Sequence, residues 1–145
     1  VWAHNTHVGD ARSTAMQQYG MESLGHLLRQ QMGAKNVLLL GQTCFNGTVY
    51  AARNWAGTAT VLPIPPAPDN SVEGLLHRSG IKLGMWLFTP DHRATALNSP
   101  RGQRAIGVSY DPSRDATDNY VPTRLTQRYD ALIFIDTTTA VAPIN

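Results

Sequence analysis

The sequence predicts an α/β fold, a mainly parallel sheet flanked by helices, and three observations carry that expectation. Residues 37–40, 85–88 and 131–135 are short, continuous apolar runs, the pattern of strands covered on both faces by helices. Between them Met16, Met21, Leu24, Leu27, Leu28 and Met32 recur at the spacing of one helical stripe. The composition, 42% hydrophobic and 15% charged, is that of a chain with a core, with less charge than the usual quarter.

The elements follow in order. Val1, Trp2 and Ala3 read as the end of a strand that runs at once into a loop holding His4, Asn5, His7 and Gly9. No methionine opens the chain, and three residues are fewer than the five or six of a typical strand. Residue 1 is therefore expected to lie inside a larger domain, with residues 1–145 the C-terminal part of an enzyme. Ser13 or Thr14 can cap a helix over 14–32 that Gly33 stops. A doubly buried strand over 36–40 then completes a strand–helix–strand crossover. In 41–55 the β-prone Phe45, Val49 and Tyr50 are interrupted by Gly47, which leaves strand, bulge and loop all open.

A short strand is expected over 58–62. The prolines at 63, 65, 66 and 68 force an extended connector, because each removes a donor and fixes φ. Asn70 lies three residues before Glu73, the spacing of a capping box, and opens a helix over 71–78 that ends at Gly80. Residues 85–88 read as a buried strand, 104–110 as a further one, and 129–136 as the last. Trp2 and Trp86 are expected in the core.

Several function classes fall away. The net charge is +2 with arginines scattered among acids, whereas a nucleic-acid footprint needs a basic stripe interleaved with aromatics. Cys44 is the single cysteine, so an internal disulfide and cysteine metal clusters are excluded, and its apolar surroundings predict a buried, inert thiol. No stretch approaches the roughly 20 apolar residues of a membrane span. The expectation is a soluble, cytoplasmic protein with no membrane partner. Asn46-Gly47-Thr48 is a formal sequon, too common a pattern to indicate secretion. No phosphate-binding glycine loop and no Gly-x-Ser-x-Gly elbow occurs, which disfavours a serine hydrolase of the α/β-hydrolase type.

The chemistry concentrates at the start. Histidine titrates near neutrality and can take or give a proton without a large shift. A turn at Asn5 or Gly9 can bring His4 and His7 to one pocket, and Asn5 can orient a carbonyl or a water. Acid–base histidines, metal ligands and structural histidines all remain open on spacing alone. The two-histidine zinc motif has an i, i+4 spacing with a glutamate, which this is not. Asp10 and Arg12 can steady a histidine or bind an anion, and equally can form a surface pair. Glu73 reads first as a cap. His26 reads as an exposed or boundary side chain, and His77 and His92 have no evident partner.

Four segments together carry a resemblance: Trp2-Ala3-His4-Asn5-x-His7-Val8; Tyr19-Gly20-Met21-Glu22-Ser23-Leu24-Gly25 with Leu28-Arg29; Pro65, Ala67, Ser71, Glu73, Leu76 and His77; and Tyr129-Asp130-Ala131-Leu132-Ile133-Phe134-Ile135-Asp136 with the threonines and Pro143 after it. In this order they resemble the C-terminal half of the erythromycin esterase family. The resemblance implies an α/β enzyme that hydrolyses a carboxylic ester, a macrolide lactone or a related one, by direct attack of a histidine-activated water. It implies no cofactor and no required metal. The general base and an accompanying glutamate would belong to an N-terminal half, and His7 and His4 to the opposite wall as catalytic residues. Asn5, Arg12 and Glu73 are the expected substrate-binding residues. The alternatives are a metal-dependent hydrolase using His4 and His7 as ligands, and a non-catalytic relative that keeps the cleft for an apolar ring or sugar. The natural substrate and the oligomeric state leave no signal in the sequence.

Overall fold

The computed structural model describes residues 1–89 and 95–141. In chain order its elements are α1 (Asn5–Val8), α2 (Leu24–Met32), β1 (Leu40–Ala51), β2 (Thr60–Ile64), α3 (Val72–Arg78), β3 (Leu83–Leu87), α4 (Thr95–Asn98), β4 (Arg101–Arg104), α5 (Asp115–Asp118), β5 (Tyr120–Thr123), α6 (Leu125–Arg128) and β6 (Ala131–Thr138). Short 3-10 turns lie between α1 and α2, before β1 and before α5.

The main sheet has four strands in the order β2-β1-β6-β3, and β4 pairs with β5 in a separate ribbon. β1 and β6 are parallel, with Leu40 opposite Ala131 and Gln42 opposite Ile133. β2 returns antiparallel along β1, and β3 lies antiparallel along β6. The sheet is therefore mixed, which corrects the expectation of a mainly parallel one. A continuous apolar run shows that a strand has two apolar faces and is silent on the direction of its neighbours.

Alternation along the strands separates two unlike faces. Leu39, Leu132, Phe134 and Phe88 point to one side and join Val72, Leu76, Leu97, Leu125 and Tyr129 in the core, with half-buried Trp86 packed against it. The opposite side carries Leu83, Met85 and Leu87, which are 70%, 60% and 58% exposed. Residues 85–88 thus do not form a central buried strand: β3 is an edge strand with one covered face. The run at 37–40 is corrected in the same way. Leu39 is buried, Leu38 and Leu40 are exposed, and the strand begins at Leu40 and extends to Ala51.

The expected helix over 14–32 is broken. Gly20 takes φ 68° and closes a 3-10 turn. Ser23 then caps α2: its Oγ accepts the N–H groups of His26 and Ala11 and donates to the Gly9 carbonyl at 2.6 Å. Gly25 brings α2 against α1, since a Cβ there would overlap the Val8 carbonyl oxygen. Met21, Leu24, Leu27 and Met32 remain exposed, so the apolar stripe has no partner layer among the described residues. Trp2 is 89% exposed, contrary to its expected burial. The strand expected over 104–110 ends at Arg104, and the one expected over 58–62 runs from Thr60 to Ile64.

Candidate active site

Asn5 opens α1 and is buried. Its side chain closes on the backbone of Gln42 from both ends, with Gln42 N–H donating to Oδ1 at 3.1 Å and Nδ2 donating to the Gln42 carbonyl. Arg128 holds the Asn5 carbonyl from below through Nη2 at 3.2 Å. The histidine turn is in this way fastened to β1 and to α6 at once.

His4 is the N-cap of α1. Its Nδ1 accepts the Thr6 N–H at 3.3 Å and lies 2.8 Å from the Thr6 hydroxyl. An Nδ1 that accepts a backbone N–H carries no proton, so the neutral ring is protonated at Nε2. Burial lowers the His4 pKa first, and the charges of His7 and Arg128 lower it further, while the Ile106 backbone acts the other way. His4 is thus held neutral and engaged on both sides. His7 lies in the last turn of α1, exposed, with its ring centroid 6.4 Å from that of His4 and nearly perpendicular to it.

A cleft of about 320 Å³ is lined by His4, Asn5, Thr43, Cys44 and Arg104, and reaches Thr138 at the carboxyl end of β6. His7 is outside this lining. Cys44 is half-buried, and desolvation raises its thiol pKa, which keeps it a poor nucleophile.

Beneath the cleft lies a buried polar network. Glu73 is fully buried on α3; Oε1 accepts from the Thr43 hydroxyl at 2.6 Å and from the Arg104 N–H at 3.0 Å, and Oε2 has no partner. Burial raises its pKa, and those hydrogen bonds offset part of the effect. The helix cap is Ser71, whose Oγ accepts the Gly74 N–H at 3.0 Å, so Glu73 does not serve as the cap expected from its spacing. Arg104 reaches the carbonyls of Cys44, Phe45 and Pro65 and pairs with Asp115 at 2.8 Å, both side chains buried. Tyr110 donates to Asp115 at 2.9 Å. Arg128, equally buried, meets neutral acceptors: Gln103 Oε1 at 3.0 Å and Thr123 Oγ1 at 3.1 Å, besides Asn5.

Of the other candidates, Arg12 is about half exposed and bonds Asp10 at 2.7 Å, away from the cleft lining. Asp10 is buried and also takes Arg29, which in turn binds Asp130 at 2.8 Å. His77 finds a partner 59 residues away: Nδ1 lies 2.5 Å from Asp136, which also binds Lys82, and the ring stacks on Phe45. His26 is half-buried at the edge of α2, as expected, and His92 lies outside the described residues. Among the described residues no third His, Cys, Asp or Glu gathers with His4 and His7. Arg104, Asp115 and Arg128 are functional candidates that the sequence reasoning passed over. Arg104 and Arg128 stand in the arginine pairs 101/104 and 124/128, a spacing that by itself reads as solvated surface, and Asp115 carries no sequence signal.

The sequence matches the erythromycin esterase family over residues 1–138. The chain belongs to that family. Solved structures share its fold. One is described as a succinoglycan biosynthesis protein (22% identity, TM-score 0.73) and covers 96% of this chain and 33% of its own. A Bacillus cereus protein matches at 19% identity and TM-score 0.76, with the same coverage. A mutant of the erythromycin esterase EreC in its open conformation matches at 14% identity and TM-score 0.55, over 93% of this chain and 31% of that one. This erythromycin esterase family chain spans about a third of the solved chains it matches. No helix of the described residues is long and apolar enough to cross a membrane.

Proposed function

We propose that this chain builds the histidine wall of a carboxylic ester hydrolase, acting on a macrolide lactone or a related ester by direct attack of water. The observation that carries the reading is the unequal histidine pair of α1, His4 pinned in the cleft lining and His7 exposed outside it with its ring 6.4 Å from that of His4, within a chain of the erythromycin esterase family. His4 positions α1 and lends a neutral wall. His7, with no committed ring nitrogen among the bonds described, places the water or polarises the ester carbonyl. Asn5 fixes both to β1, Glu73 sets Thr43 and the Arg104 backbone in the cleft floor, and Arg12 steadies the loop through Asp10. The general base that takes the proton from water comes from the part of a full-length family domain outside these residues, which span about a third of the solved chains they match. The setting is the cytoplasm.

The test is product formation by mass spectrometry, using the full-length enzyme with a macrolide and with simple aryl esters, with and without chelator. Lactone opening that survives chelation and falls in His7→Ala supports the reading. Activity abolished by chelator and restored by a divalent metal transfers it to a metal-dependent hydrolase. Tight macrolide binding without turnover transfers it to a binding protein.

A further inference from the structure

Thr43 of β1 is half-buried in the lining of the cleft, and Glu73, fully buried on α3, lies behind it and outside that lining. The hydrogen bonds between them have fixed directions. The Arg104 backbone N–H can only donate, so Glu73 Oε1 accepts from it at 3.0 Å, and the Thr43 hydroxyl donates to the same oxygen at 2.6 Å. A proton on the carboxyl sits on Oε2, which has no partner, so Oε1 stays an acceptor whether or not Glu73 is ionised. A hydroxyl has one proton and two lone pairs. With its proton spent on Glu73, all that Thr43 can offer a ligand is a lone pair. The donors around it are spent as well. Arg104, the arginine of the lining, gives its Nη hydrogens to the carbonyls of Cys44, Phe45 and Pro65 and to Asp115, and its Nε is buried. The Asn5 amide is used by Gln42, and His4 Nδ1 by the Thr6 N–H.

We propose that Thr43 is a specificity-determining residue that accepts a hydrogen bond from an alcohol hydroxyl of the substrate, with Glu73 the positioning residue that fixes the direction of that bond. Both oxygens of an ester only accept, so neither can pair with a hydroxyl whose proton is already given away. The group at Thr43 is therefore a second, donating group on the same molecule. Carboxylates and phosphates fail for the same reason, since they too only accept and the Arg104 guanidinium has no hydrogen left for them. An ammonium donates, but the buried charge of Arg104 in the same lining repels it. The substrate class narrows to esters that carry a free hydroxyl away from the scissile bond. That the ligand is a substrate rests on the hydrolase reading, whereas the direction of the bond does not.

The test is affinity on the full-length chain, followed through the NMR shift of the Thr43 methyl group. The probes are a macrolide lactone and aryl esters of hydroxy acids, each beside analogues in which one hydroxyl at a time is replaced by hydrogen. Loss of one particular hydroxyl should weaken binding to wild type at least about fivefold. In Thr43→Val, which keeps the shape and removes the acceptor, the same pair should differ by less than about twofold, and Thr43→Ser should restore the preference. Glu73→Met returns the proton to Thr43 and should admit the analogue with a ketone in place of that hydroxyl, whereas Glu73→Gln keeps the acceptor and should still reject it. Equal affinities in wild type, a preference that survives in Thr43→Val, or no binding of any hydroxylated probe to the folded protein overturns the proposal. So does a folded Glu73→Met that still rejects the ketone, and where that variant does not fold the Thr43 pair decides. Hydrolysis measured on the same samples separates the two claims: a hydroxyl preference without turnover keeps Thr43 and rejects the esterase, and turnover without a preference does the reverse.

Discussion

The Asn5 side chain satisfies both backbone groups of Gln42, 37 residues away, and so joins the histidine turn to the sheet. The neighbouring His4 has its own ring spent on capping the same turn. Asn5→Ala removes donor and acceptor together and is expected to cost about 1–3 kcal/mol for each group left unsatisfied, read as a fall in the urea midpoint. Asn5→Asp keeps the acceptor for the Gln42 N–H but sets a second carboxylate oxygen against the Gln42 carbonyl, so its midpoint should recover toward wild type only as pH falls and the carboxyl regains a donor. Equal midpoints for the three proteins would show that water replaces the clamp.

His7→Ala and His4→Ala should separate chemistry from stability. His7 is exposed at the helix end, so its removal should leave the denaturation curve within about 0.5 kcal/mol and reduce turnover by about 10²–10⁴-fold. His4→Ala removes a cap and should cost about 1 kcal/mol along with activity. A His7 variant whose lost activity tracks its lost folding would make His7 structural.

Much of this was legible from the sequence where one short segment decides the outcome, and lost where distant partners do. Ala131-Leu132-Ile133-Phe134-Ile135 gave the strand that runs through the middle of the sheet, because a run of this length pairs wherever it is placed. Leu38 and Leu40 looked like Leu39, yet only Leu39 points to the helices, and strand direction depends on partners some 90 residues on. Glu73 stands at a capping spacing, but Ser71 outcompetes Asn70 for the cap, and its partners Thr43 and Arg104 lie 30 and 31 residues away. The histidine turn was legible as a motif. That His4 is fastened and His7 free was not, since this follows from Thr6 and Ile106 in three dimensions.

Glu73 should shape the response of stability to pH. Burial raises its folded pKa above the ordinary carboxyl value, so the folded state holds the proton longer than the unfolded one. Its contribution is then full below about 4.5 and is lost as pH rises through the folded pKa. Glu73→Gln keeps an acceptor for Thr43 and Arg104 and never ionises. Relative to wild type it should gain stability as pH climbs from 4.5 upward, measured by urea titrations at several pH values. A difference that is flat with pH would mean that the buried carboxyl does not change protonation between the two states.

Arg128 is a buried cation whose hydrogen bonds go to neutral groups, and its field bears on His4. Arg128→Gln should raise the His4 pKa toward 6.5, seen as a shifted imidazole titration by NMR. Linkage gives the sign in wild type. With the folded pKa of His4 depressed, its contribution to stability is complete above 6.5 and is lost as pH falls through the lowered value. The variant should lose less over that window. An unchanged His4 titration would remove Arg128 from the electrostatics of the site.

Residues 1–145 expressed alone should be poorly soluble or partly molten, and should open no macrolide lactone above buffer. The motive is physical: Leu83, Met85, Leu87 and Val61 leave one face of the sheet apolar and exposed, with 58–70% of each residue in water, and such a face next to an open strand edge invites association. Supplying the rest of a full-length family domain, fused or as a separate chain, should cover that face and restore a cooperative thermal melt together with turnover. Lysine at Leu83 and Leu87 should improve the solubility of residues 1–145 alone and block restoration, because a charge tolerated in water is costly once that face is covered. Robust turnover by residues 1–145 alone, followed by mass spectrometry, would place the proton-abstracting group within this chain, with His7 the first candidate.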